Sequence, residues 1–176
     1  KNPIDSRLMF MLIIIPMISI ISLAALMKAA INHSEIQVYI LIGMACIGSA
    51  YSRNIALQKA KGKWIAFLDS DDIWLPEKLE KQIEFMLKNN HNFSYTNYCE
   101  IDENSNETGT LLTGPKVITK NKMLAYCWPG CLTIMYNANF VGEMQTIDIK
   151  INEEYALWIK ISKKTDCHLL NENSAK

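Results

Sequence analysis

Three carboxylates fall within four positions, at Asp69, Asp71 and Asp72, directly after the apolar run IAFL. One Asp in such a place is a common turn former or helix cap, accepting backbone N–H groups. Three together repel one another and need a countercharge. A divalent cation supplies one well, because hard cations take carboxylate oxygen. The stretch therefore has two readings, a capped turn and a metal site.

The elements around the acids decide where they stand. Residues 36–42, IQVYILI, read as a buried strand, and Gly43 and Gly48 bracket a loop. Residues 49–62 read as a helix with a face of small residues, stopped by Gly62. Residues 63–69, KWIAFLD, form the next strand. Pro76 fits a first helical turn, and Leu79, Ile83, Met86 and Leu87 then recur at helical spacing to about Asn89. Residues 92–101 predict a strand, 102–109 a polar hairpin loop, Pro129-Gly130 a turn leading into a strand, and 151–165 a helix with Tyr155, Trp158, Ile159 and Ile161 in the core. Strand and helix alternation argues for an α/β fold with a largely parallel sheet. The acids then lie at the carboxyl end of a strand, where open α/β sheets bind ligands.

Composition sets outer limits. The 176 residues are enough for one domain with its own core, and 18 basic residues balance 18 acidic ones. Without a basic excess or a long basic stripe, nucleic acid is not the expected partner. The five cysteines, Cys46, Cys99, Cys127, Cys131 and Cys167, are odd in number and hold no C-x-x-C pair. That argues against a disulfide framework and a zinc knuckle, and for reduced thiols in the cytosol. His33, His91 and His168 are scattered, with surface positions and no metal role expected.

Residues 8–27 carry no charge, and Arg7 and Lys28 flank them. A largely apolar run of twenty residues has the length of a membrane span. The other reading breaks the run at Pro16, giving a buried strand before it and a helix capped by Ser22 after it.

The stretch GSAYSRNIALQKAKGKWIAFLDSDDIWLPEKLEKQIEFM, residues 48–86, resembles the middle of family 2 glycosyltransferases. FSYTNYCEI, GCLTIMYN and EEYALWIKISKK resemble later blocks of that family in the same order. The flavour is that of bacterial enzymes of teichuronic-acid and related cell-wall or capsular polysaccharide synthesis. The resemblance covers residues 47–176. It implies a GT-A fold, Rossmann-like, with a mostly parallel sheet flanked by helices, and residues 1–176 as a single partial domain lacking the family's first strand and helix. It implies inverting, metal-dependent transfer of a sugar from a nucleotide-sugar donor, a UDP-sugar, to a polysaccharide or lipid-linked acceptor. The expected setting is cytoplasmic, at the inner face of the membrane, with peripheral membrane association.

Carried over by position, Asp69-Ser70-Asp71 resembles the DxD motif. Asp71 is implied as a ligand of Mg2+ or Mn2+, with Asp72 beside it, and Asp69 lies against the nucleotide ribose. Arg53 resembles the arginine near the nucleotide. Gly130 to Thr133 are implied beside the donor sugar, and Trp74 is expected to pack. Glu154 stands where the family holds an Asp as general base, with Glu153 as its neighbour. Pro16, Met17 and Ile21 stand where the family holds base-binding acids. That implies weak or absent transfer, and a non-catalytic remnant is the alternative. A small membrane-anchored protein with residues 8–27 as its span is another.

Overall fold

The computed structural model describes residues 38–42, 49–69, 71–145 and 153–176. The apolar run 8–27, with Pro16, Met17 and Ile21, lies outside the described residues, as do Cys46 and His33. Among the described residues, no helix is long and apolar enough to cross a membrane.

In chain order the elements are β1 (Val38–Ile42), α1 (Ser49–Lys59), β2 (Trp64–Leu68), α2 (Lys78–Lys88), β3 (Phe93–Ile101), β4 (Glu107–Leu112), β5 (Val117–Ile118), α3 (Lys120–Ala125), a 3-10 turn (Cys131–Thr133), β6 (Met135–Asn137), α4 (Ala138–Val141), α5 (Glu153–Ser162) and β7 (Cys167–Ala175). The strands form one sheet in the order β1-β2-β6-β3-β7-β5, with β4 on β3. The expected α/β architecture is present, and the sheet is mixed in strand direction. The β1–β2 and β3–β7 ladders are parallel. The short β6 runs antiparallel between β2 and β3. β4 returns antiparallel from β3 through a tight polar turn, where Asp102 Oδ1 accepts from the backbone N–H groups of Asn104 and Asn106.

β2 shows why the fold holds. All five of its residues are buried, as expected of a strand covered on both faces. Alternation sends Ile65 and Phe67 into one core with Trp158 and Ile161 of α5. Trp64, Ala66 and Leu68 enter another with Leu79, Ile83 and Met86 of α2. Phe67 and Trp158 meet edge to face, ring centroids 5.1 Å apart. Each such side chain contributes about 1.5–3 kcal/mol by leaving water. Trp74 is fully buried, as expected, and its indole N–H donates to the Leu132 carbonyl at 2.8 Å.

β7 was not foreseen in the sequence. It pairs parallel with β3 through Ala175, with register shifts after Thr96, and its C-terminal end also meets the segment after the acidic loop. The Leu75 N–H donates to the Ser174 carbonyl at 2.9 Å, and Ile73 and Lys176 exchange both backbone bonds at 2.7 and 2.8 Å. The loop that follows Asp72 is thus pinned as a short extra ribbon.

Candidate active site

Three elements converge at the carboxyl end of β2. The strand delivers Asp69, α1 delivers Arg53, and the first turn of α5 delivers Glu154. Arg53 is only 3% exposed, while the two carboxylates are about 30% exposed and open toward solvent. Its Nη2 donates to Asp69 Oδ1 at 2.8 Å, and its Nη1 meets Glu154 Oε1 at 2.7 Å. One planar fork therefore fixes two acids from distant parts of the chain, each through its own nitrogen and in a set relative geometry. Burial opposes the guanidinium's charge, but the carboxylates of Asp69 and Glu154 outweigh it and its pKa is raised.

Cys131 opens the 3-10 turn. Its sulfur and one oxygen each of Asp69 and Glu154 all lie within 4.8 Å of one another. Burial first, then Asp69, pushes the Cys131 thiol well up, so at neutral pH the sulfur keeps its proton. Nothing in the sequence spacing distinguished this cysteine. Its neighbour Gly130 is legible afterwards, because a Cβ there would stand 3.0 Å from the Tyr98 ring.

The acids of the loop divide into two sets. Asp69 is already neutralised by Arg53. Asp71 is exposed and Asp72 half-buried, and among the described residues no cation pairs with either. The Asp72 carboxyl is pushed up to about 7 by burial, then by the charges of Asp69 and Asp71. Such crowded oxygen donors match what a hard divalent cation takes. Ser70 and the side chain of Glu153 lie outside the described residues.

A second polar cluster underlies the turn. Lys78 is 1% exposed, its ammonium donates to Gln82 Oε1, and it sits 5.0 Å from the Trp74 ring centre. Gln82 Nε2 donates to Ser94 Oγ at 3.0 Å and to the Thr133 carbonyl at 2.9 Å. The sequence carried a signal for this pair. Lys78 and Gln82 each precede a core residue, Leu79 and Ile83, and share the buried stripe of α2.

Comparison with known proteins adds three findings. A family model described as "Glycosyl transferase family 2" matches residues 31–142. An Escherichia coli protein named UDP-Glc:alpha-D-GlcNAc-diphosphoundecaprenol beta-1,3-glucosyltransferase WfgD is 40% identical over 141 residues, covering 80% of this chain and 54% of its own length. A Bacillus subtilis protein named putative teichuronic acid biosynthesis glycosyltransferase TuaG is 37% identical over 117 residues, covering 66% of this chain and 46% of its own. The chain thus spans about half the length of these relatives. Among solved structures, S. aureus TarS 1-349 in complex with UDP-GlcNAc superimposes with a TM-score of 0.57 at 18% identity, covering 73% of this chain and 38% of that one. That likeness supports the GT-A fold.

Proposed function

The chain belongs to glycosyl transferase family 2, and from that premise we propose that it transfers a sugar from a UDP-sugar to a polysaccharide or lipid-linked acceptor, with inversion. The carrying observation is the joining of Asp69 and Glu154 by buried Arg53 at the carboxyl end of β2, next to Asp71 and Asp72. The names of the relatives support the substrate classes, since WfgD is named for a UDP-Glc donor and a diphosphoundecaprenol-linked acceptor.

The residues divide the work. Asp69 accepts hydrogen bonds from the ribose hydroxyls. Asp71 and Asp72 hold Mg2+ or Mn2+, which when bound offsets the charge on the departing nucleoside diphosphate. Glu154 accepts the proton of the acceptor hydroxyl as its oxygen bonds to the sugar's anomeric carbon and the bond to the diphosphate breaks on the opposite face. Arg53 aims Glu154 through their ion pair and holds Asp69 in register with it. The Cys131 thiol lies beside both as a neutral wall. On this reading turnover is low, because Pro16, Met17 and Ile21 stand where family members are expected to hold the nucleotide base with acids. The working place is the cytoplasmic face of the membrane, through peripheral association.

Calorimetric titration with UDP, with and without Mn2+, tests the reading. Metal-dependent UDP binding is expected, followed by slow transfer across a panel of UDP-sugars. Absence of UDP binding under both conditions sinks the proposal. Binding without any transfer identifies the chain as a non-catalytic remnant.

A further inference from the structure

Residues 108–142 contain no Asp or Glu, but they contain Lys116, Lys120 and Lys122, all exposed. The same segment exposes three large apolar side chains within five positions: Leu124 at 51%, Tyr126 at 60% and Trp128 at 41%. Apolar groups of this size at the surface are unremarkable singly, but a contiguous group marks an interaction site.

Local geometry makes the group one surface. On α3, Met123 is buried and its carbonyl accepts from the Tyr155 hydroxyl, which fixes the helix by that side. Lys120 and Leu124, four apart, then share an outer side. Tyr126 and Trp128 follow directly, with ring centroids 4.7 Å apart. Trp128 lies over Gly114, its Cε3 3.4 Å from where a Cβ would stand, which places it beside the segment carrying Lys116. Lys122 reaches back to the Val117 carbonyl at 3.2 Å. The nearby acid Glu154 is engaged by Arg53.

We propose that Leu124, Tyr126 and Trp128, ringed by Lys116, Lys120 and Lys122, seat the chain on an anionic lipid surface. The charge pattern selects this occupant. Tyr and Trp settle at the headgroup level, where one end of the ring is dry and the other wet. Lysines beside them are drawn to anionic headgroups, with no acid in the segment to oppose the attraction. The patch also leads straight into the site, since Trp128 is three residues before Cys131, which adjoins Asp69 and Glu154. An acceptor carried on a lipid would therefore meet the carboxylates at the bilayer surface. The inference rests on the peripheral association proposed above and is independent of the transfer chemistry.

Tryptophan emission tests it in the full chain. Trp64, Trp74 and Trp158 are at most 1% exposed, so Trp128 alone of the four reports on this surface. Vesicles of phosphatidylcholine with phosphatidylglycerol should blue-shift the emission, and brominated acyl chains should quench it. Both effects should vanish in Trp128→Phe. The triple variant Lys116→Gln, Lys120→Gln, Lys122→Gln should partition about 100-fold more weakly, at roughly five-fold per lysine, with UDP binding unchanged. Sedimentation with vesicles while Trp128 stays unquenched overturns this surface and leaves peripheral association standing. No sedimentation overturns both. A Trp128 response to a soluble glycan but not to vesicles overturns the lipid assignment in favour of a sugar platform.

Discussion

Arg53 and Lys78 are both cations sealed inside the protein, 3% and 1% exposed, and their surroundings treat them in opposite ways. Arg53, on the α5 side of the sheet, faces two carboxylates and has its pKa raised. Lys78, on the α2 side, donates to a neutral amide, and burial pushes its pKa down to about 7. Among the described residues no carboxylate pairs with it. Burial alone therefore does not decide whether an interior cation stays charged; the partner does. The charge-paired centre opens to solvent and can act on a substrate. The amide-paired centre is closed and braces the turn behind the site through Gln82 and the Thr133 carbonyl.

Removing Arg53 should have the largest effect. Arg53→Met leaves Asp69 and Glu154 facing each other without a countercharge. Transfer should fall by at least about 100-fold through lost positioning. Stability should drop by about 2–3 kcal/mol, below the range for fully buried pairs because both carboxylates are partly solvated. Arg53→Lys keeps the charge but loses the fork, so near-normal turnover in that variant would refute the positioning role.

Next is Asp71→Ala, which should abolish the Mn2+ dependence of UDP binding. Because Asp71 is exposed, its melting curve should shift by no more than about 0.5 kcal/mol equivalent. Retained Mn2+ dependence moves the metal ligand elsewhere.

Lys78→Met should show itself in the pH dependence of stability. An unfolded lysine titrates near 10.4, and Lys78 in the fold near 7. Between those values the unfolded chain binds a proton the folded chain lacks, so this group makes stability rise with pH across the window. Buried Tyr95 and Cys167, both pushed up by burial, act oppositely at alkaline pH, so the informative quantity is wild type minus variant. The variant should gain most below about pH 7, on the order of 2–4 kcal/mol, and nothing above pH 10.5. An equal gain at every pH, read from urea midpoints, would mean that Lys78 does not titrate in the window.

The smallest effect belongs to Glu154→Asp, which shortens the arm to the family's length. Turnover should rise by up to about tenfold, with stability nearly unchanged. Identical non-zero rates at saturating donor would mean that the length of this arm does not limit transfer, whereas equal inactivity would leave the loss of the base-binding acids sufficient by itself.

The legible parts were those whose pattern is carried by burial. β2, α2, β3 and α5 all announce themselves, since Trp64–Leu68 is apolar throughout and Leu79, Ile83 and Met86 keep helical spacing. Arg53, Asp69 and Glu154 were each singled out, and the fold brings all three together. Asp71 and Asp72 stand next to them, outside the Arg53 fork. The stretch Gly130 to Thr133 was placed at the site by resemblance, but the closeness of Cys131 to Asp69 and Glu154 was not legible, because it arises from tertiary packing between the turn, β2 and α5. β7 was hidden for another reason. CHLLNENSA is largely polar, and its strand conformation comes from pairing with β3 on one side and β5 on the other. β4 is an exposed edge strand with no apolar face to read.

The ribbon between residues 73–75 and 174–176 has a bearing on the order of events during synthesis. Its two sides are separated by about a hundred residues, so residues 73–75, which follow the acids, lack these backbone partners until the stretch 174–176 has been made. Closing so long a loop is entropically costly and is compensated only once β7 has docked on β3. Early-formed local elements such as α2 therefore wait with the loop undocked, and the acidic loop is assembled last. The growing chain is first a scaffold, and its acidic loop is fixed only afterwards.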